Sequence, residues 1–196
     1  MKKAELFALI SLLALLAPAT AGWQEQASPA DAQRLAKLDE SRAKALDEAS
    51  AAPPADLAII DSVLHAQPVD ASAGALEGDW RCRTIKLGGM TPDMIYGWFR
   101  CRVSMKGGAP YFEKLSGSQR TSGLLYPEGG GFVYLGASYV TGEKPHAYTG
   151  SGAQTGATAT PDDQIGLLSL LADGRARIEF PYPLQESTFD VIELKR

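Results

Sequence analysis

At Leu76 the apolar period of the chain changes, and this change constrains the fold more than any other feature. Before it, apolar residues recur at helical spacing. After it they alternate, and eight segments read as strands: 77–87, 95–105, 110–117, 120–126, 131–140, 164–172, 175–181 and 187–195. Asp173-Gly174 is a hairpin signal between two of them, and Lys106 to Ala109 and Glu128 to Gly131 read as further turns. Closely spaced short strands with glycine-rich turns predict an antiparallel barrel or sandwich. The segment 141–163 breaks the rhythm; it is rich in Gly, Thr, Ala and Ser, and a loop of that length is usually functional or mobile.

Upstream, Ser28-Pro29 opens a helix over 30–50, with Leu35, Leu38, Ala45, Leu46 and Ala49 at helical spacing. Pro53-Pro54 ends it. A second helix over 55–66 places Leu57, Ile60, Val63 and Leu64 on one face. The predicted class is therefore α+β, two N-terminal helices followed by an antiparallel barrel of about eight strands. The domain reading is a signal segment at 1–21, a helical region at 22–70, a linker at 71–75 and the barrel at 76–196.

The N-terminus has the three-part layout of a secretion signal. Lys2 and Lys3 precede an apolar run from Leu6 to Leu16, and Ala19-Thr20-Ala21 supplies a small-x-small cleavage pattern. The apolar run is shorter than the roughly 20 residues a membrane span needs. Cleavage is expected after Ala21, and a periplasmic or secreted location follows, with no membrane span in what remains.

Export bears on the two cysteines, Cys82 and Cys101, because two thiols in an oxidising compartment most simply pair. The segments Trp80-Arg81-Cys82-Arg83 and Phe99-Arg100-Cys101-Arg102 mirror one another. Placing the cysteines directly opposite on antiparallel strands puts Trp80 against Val103 and Thr84 against Phe99 on the core face. The other face then carries Arg81 against Arg102, Arg83 against Arg100, and Ile85 against Trp98. Like charges so placed are unfavourable. They require carboxylates from a neighbouring strand, with Glu193, Asp190 and Glu113 as candidates, or an anionic ligand, since guanidinium groups bind carboxylate and phosphate bidentately.

The formal net charge is −4, which argues against a general nucleic-acid binder. The basic surface is local: residues 77–106 carry six bases against three acids, while 23–70 carry nine acids against four bases. With two His in the chain and neither near a Cys, no zinc site is expected, and no cofactor is implied. No nucleophile elbow, phosphate loop or dinucleotide fingerprint is present. His146, in the long loop near Glu143, Asp162 and Asp163, is the one candidate general base.

Gly78-Asp79-Trp80 resembles the G-x-W opening of lipocalin-like barrels. That resemblance implies a Trp closing one barrel end beside an Arg or Lys of the last strand, here Arg196 or Lys195. Exported protease inhibitors of that barrel class share G-x-W and one disulfide, but insert an extended N-terminal arm where this chain reads as helical. Several blocks together resemble an uncharacterised family of exported bacterial proteins, a domain of unknown function. They are Gly78-Asp79-Trp80-Arg81-Cys82-Arg83, Tyr96-Gly97-Trp98-Phe99-Arg100-Cys101-Arg102, the run from Glu113 to Gly123, and the run from Phe180 to Ser187.

The functional expectation is a non-enzymatic binding module for an anionic small molecule or an acidic protein surface. Arg81, Arg83, Arg100 and Arg102 carry it, with Trp98, Lys114 and Arg120 in support. The alternatives are a hydrolase or transferase using His146, and an inhibitor of a protease or wall-degrading enzyme.

Overall fold

The computed structural model describes residues 22–150 and 160–196. The expected signal segment, 1–21, and part of the long loop lie outside these residues. The described helices are α1 (Trp23–Gln26), α2 (Pro29–Ala36), α3 (Leu38–Glu48), α4 (Pro54–Leu64) and α5 (Ala73–Leu76). The strands are β1 (Pro68–Val69), β2 (Gly78–Leu87), β3 (Asp93–Ile95), β4 (Phe99–Lys106), β5 (Ala109–Lys114), β6 (Gln119–Glu128), β7 (Gly131–Val140), β8 (Asp163–Leu171), β9 (Ala176–Pro181) and β10 (Phe189–Lys195). None of the described helices is long and apolar enough to cross a membrane.

Eight strands close into an antiparallel barrel. β2, β4, β5, β6, β7, β8, β9 and β10 pair in chain order, and β10 returns to β2. β1 and β3 are short additions to β8 and β2. Alternation then sorts side chains into two sets. Trp80, Cys82, Cys101, Val103, Phe112, Leu125, Phe132, Tyr134, Leu168, Ile178, Phe180, Ile192 and Leu194 fill the interior. The opposite set faces outward, where helices cover part of it.

The helix expected over 30–50 is two helices broken at Lys37, which leaves helical geometry (φ −100°, ψ 22°). The break has a packing cause. Leu35 packs with Val133, Leu135 and Ile165 on the outside of β7 and β8. Ala45 and Ala49 pack with Ile85, Leu87, Phe189 and Val191 on the outside of β2 and β10. One straight helix cannot follow a curved barrel wall across both patches. Ser28 caps α2 by accepting from the Asp31 amide at 3.1 Å, with Pro29 at the first helical position. The carbonyls at the C-terminal end of α4 are met by arginines of the barrel wall. Arg175 donates to Ser62 O at 2.9 Å, and Arg177 to Val63 O and Ala66 O at 2.9 and 3.0 Å.

One barrel end is plugged. Trp80 is 3 % exposed; its Nε1 donates to Leu76 O at 2.8 Å. Arg196 lies 4.6 Å from the Trp80 ring centroid and donates to Ala75 O and Glu77 O.

Cys82 and Cys101 are disulfide-bonded, but the register differs from the expected one by two residues. Trp80 faces Cys101 and Cys82 faces Phe99, so the bond spans a diagonal. A two-residue shift keeps every side chain on its expected face. It also changes the charge pairing. Directly opposed cysteines would set two Arg–Arg pairs across the strands. The observed register sets one, Arg81 against Arg100, and places Asp79 against Arg102. β2 pairs with β3 in a register offset by one residue from its pairing with β4, so Gly97 and Trp98 lie between the two ladders. This displaces Trp98 from its expected place opposite Ile85, where Ile95 stands instead.

The two cysteines are separated by 19 residues, a loop whose closure should stabilise the fold by about 3 kcal/mol. Replacing both by Ala is expected to lower unfolding free energy by about that amount in denaturant titrations, with far-ultraviolet circular dichroism of a folded barrel retained.

Candidate functional site

The barrel end opposite Trp80 is open. There the inward positions turn polar: Thr84 and Lys86 on β2, Lys114 on β5, Gln119 and Thr121 on β6, Ser138 on β7, Gln164 on β8 and Asp190 on β10. These residues, with Phe180 and Ile192, line a cavity of about 300 Å³, at the lower end of the range for small-molecule sites. Its rim includes Arg34, Arg120, Glu143, Asp162 and the segment Pro183 to Glu186.

Next to the cavity, two glycines make room for a tyrosine. Gly123 and Gly136 are directly paired inward positions on β6 and β7. A Cβ on Gly136 would lie 2.2 Å from the Tyr134 hydroxyl and 2.3 Å from Ser122 O. A side chain at position 136 is thereby excluded. Tyr134, fully buried, crosses the space the glycines leave. Its hydroxyl meets Thr121 Oγ1 at 2.5 Å, and Thr121 donates to Gln164 Oε1, also at 2.5 Å.

Lys114 is the distinctive group in the cavity. It is 6 % exposed. Its Nζ donates to Gln119 O at 2.9 Å and stands 4.5 Å from the Phe99 ring centroid. Among the described residues, no carboxylate forms an ion pair with it. Burial, reinforced by the nearby charge of Lys86, pulls its pKa down to about 8. Lys86 differs. Burial opposes its charge, but the hydrogen bond to Glu186 at 2.5 Å and the nearby Asp190 outweigh that and raise its pKa. Asp190 is pushed up to about 6 by burial, against the Ser187 hydroxyl that donates to it at 2.5 Å and the charge of Lys86.

The rim is braced by α2. Arg34 donates to Asp31, to Tyr182 O at 3.2 Å and to Asp163 O at 3.3 Å. The Tyr148 hydroxyl donates to Asp31 Oδ2 at 2.5 Å and accepts from the Ser28 amide at 2.9 Å. Thr149 binds Asp163 through its amide and its hydroxyl. The described ends of the 141–163 loop are thus tied to α2 and to the start of β8.

The arginine face expected from the mirrored cysteine segments lies on the outside of the barrel, away from this cavity. Arg83 pairs with Glu193 at 2.6 Å, and Glu193 also binds Arg175 at 2.7 Å. Trp98 stacks beneath Arg83 and Lys195, at 4.7 and 4.1 Å. Arg102 pairs with Asp79 at 2.7 Å. Glu193 is one of the three carboxylates the sequence offered; Glu113 instead binds Lys106, and Asp190 faces inward. Only Arg81 and Arg100 stay exposed without a carboxylate partner among the described residues. Of the expected binding residues, the mouth brings together Lys114 and, at its rim, Arg120, whose Nε donates to Gly117 O. Sequence reasoning missed Lys86, Thr121, Gln164 and Asp190 as mouth residues, because an inward polar residue is recognisable only once the barrel's two ends are known.

His146 is exposed, its Nε2 is 3.8 Å from Glu143, beyond hydrogen-bond reach, and it does not line the cavity. The hydrolase reading gains nothing from this geometry. No group of three or more His, Cys, Asp or Glu that would suit a metal occurs among the described residues.

A family model, described as a domain of unknown function (DUF4893), matches residues 23–194. The chain belongs to the DUF4893 family. No curated protein and no solved structure matches it. The matched span takes in the N-terminal helices as well as the barrel strands.

The elevated pKa of Asp190 has a definite sign. A folded-state value of about 6, against 3.8 for an ordinary Asp, means that the folded state holds the proton more tightly. The stabilisation is present below about pH 4 and is lost as pH rises through about 6. Asp190→Asn is expected to remove that slope. The variant should gain on wild type by on the order of 3 kcal/mol between pH 4 and 7 in urea titrations; a pH-independent difference would contradict the assignment.

Proposed function

We propose that this protein is a binding module that takes a small organic carboxylate into the open mouth of its barrel. The observation that carries the reading is Lys114, buried in a cavity with no carboxylate partner among the described residues. An unpaired buried ammonium is costly, and one desolvated by several kcal/mol is best compensated by an anion placed beside it. Lys86 and Arg120 add positive charge to the same cavity. Phe180, Ile192 and the Phe99 ring offer apolar walls to the organic part of such a ligand.

A lipocalin-like organisation supports the reading. The G-x-W resemblance implies a Trp closing one barrel end beside an Arg of the last strand, and Trp80 beneath Arg196 fits that expectation. The ligand-sized mouth at the other end is the place such a barrel would offer a ligand. Secretion to an oxidising compartment remains part of the proposal, and the buried disulfide is compatible with it. The outer arginines carry less of the argument. Two of the four are neutralised within the fold, and the exposed Arg81–Arg100 pair costs only about 1 kcal/mol in water, too little to demand a ligand.

Calorimetric titration with benzoate and hexanoate, each compared with its uncharged amide, tests the reading. The carboxylates are expected to bind at least roughly tenfold more tightly than the amides, the scale of one charge-assisted hydrogen bond. Lys114→Met should abolish that preference while leaving the barrel folded and, at pH 7, stabilised. Equal binding of acid and amide, or a preference that survives in Lys114→Met, would refute it.

A further inference from the structure

We propose that Lys114 is a carbonyl-capturing amine, so that the ligands this cavity holds best are oxo acids, fixed at the carbonyl by Lys114 as a reversible imine. The inference rests on the carboxylate reading above and adds a covalent step to it.

A lysine must be activated before it can capture a carbonyl. A primary amine attacks a carbonyl only in its neutral form, and proteins obtain that form by desolvating the lysine or by placing a second cation beside it. Lys114 has both conditions. It is the only buried lysine among the described residues, since Lys37, Lys44, Lys106 and Lys144 are exposed and Lys86 and Lys195 are partly exposed. Lys86 lines the same cavity and is the one charged neighbour acting on Lys114. No carboxylate ion pair holds the proton on, whereas Lys44, Lys86 and Lys106 each have one. The hydrogen bond to Gln119 O at 2.9 Å uses one N–H and leaves the lone pair of the neutral amine unused. A pKa near 8 leaves a substantial neutral fraction at neutral pH.

The chemistry balances without any further reactant. The Lys114 lone pair forms a C–N bond to the carbonyl carbon, and the carbonyl oxygen takes a proton as the nitrogen gives one up. The resulting carbinolamine loses its hydroxyl, with one more proton, as water, which leaves a C=N bond. Asp190, in the same cavity and partly protonated near neutral pH through burial, is a local group that can lend and recover a proton. Hydrolysis reverses every step, so the ligand is held and released unchanged. A plain carboxylate pairs with the Lys114 ammonium, but in an oxo acid, whose carbonyl takes Lys114, the carboxylate falls to the other cations of the lining, Lys86, Arg120 and Arg34.

Reductive trapping tests this. The full mature protein is incubated at neutral pH with 4-carboxybenzaldehyde and cyanoborohydride, and adducts are mapped by peptide mass spectrometry. Lys114 is expected to be labelled at least on the order of tenfold faster than any exposed lysine, the part of its larger neutral fraction that survives the lower nucleophilicity of a less basic amine. Terephthalate, which has no aldehyde, should protect it, and Lys114→Met should lose the fast adduct while keeping the slow surface ones. Labelling spread over the exposed lysines with Lys114 unmodified overturns the proposal; if terephthalate still binds in that case, the carboxylate reading stands alone. If plain benzaldehyde labels Lys114 as fast as 4-carboxybenzaldehyde, the amine is reactive and it is the carboxylate reading that fails.

Discussion

The return of β10 to β2 is the constraint on which the rest depends. Seven of the eight pairings join strands that follow one another, and any meander of hairpins could make them. The eighth brings the last strand beside the first, pairing Phe189 through Lys195 with Leu87 through Arg81. Once the ring closes, every strand has two neighbours and inward and outward faces are fixed all the way round. The same pairing sets Glu193 opposite Arg83 and supplies the carboxylate that this arginine requires. Closure also brings Arg196 to the plugged end, over Trp80. One pairing therefore answers a charge problem on the outer wall and seals one end of the interior.

The strands were readable from the sequence because period-two alternation reports a face, and a barrel wall has two faces of different polarity. All eight staves fall within a few residues of the segments read from the pattern. Register was less readable. Paired cysteines fix it only to within a diagonal step, since a disulfide can join directly opposed or diagonal neighbours. The diagonal suits the charges better: Asp79, ignored in the symmetric reading, takes Arg102 and leaves a single Arg–Arg pair. The break at Lys37 was not readable either. No Gly or Pro marks it, and its cause is the curvature of a surface to which residues far along the chain contribute.

The candidate site was readable only in fragments. Lys114 and Arg120 were named, but as companions of an arginine cluster that lies on the other side of the wall. Mirrored charged segments draw attention because they are local in sequence. The mouth is assembled from seven strands, each contributing one or two inward residues, and no local motif announces it. Its signal was nonetheless present as polar residues at inward positions near the ends of several strands: Lys86 in β2, Lys114 in β5, Thr121 in β6 and Asp190 in β10. In a strand whose other inward residues are apolar, such a residue breaks the alternation, and several breaks at one barrel level mark an opening. Gly136 is a different signal: a glycine in an otherwise well-packed strand marks a close approach, here of the Tyr134 hydroxyl.

Retention of a buried amine and a buried carboxyl in one cavity is costly to the fold. Asp190 and Lys114 are each shifted toward their neutral forms, so each destabilises the folded state near neutral pH relative to an apolar residue of similar size. They do not relieve one another as an ion pair, for Asp190 is held by Ser187 and influenced by Lys86, while Lys114 donates to a backbone carbonyl. Elsewhere the fold meets the same difficulty differently. Arg177 and Glu179, equally buried on the outer wall beneath the helices, bind each other at 2.8 Å, and Arg177 also caps α4. The chain thus contains a working solution for buried charge and does not apply it at the mouth. A buried amine and a buried carboxyl left unpaired with one another in one cavity, while the outer wall pairs its own buried charges, are the kind of perturbed groups that make the mouth the candidate site.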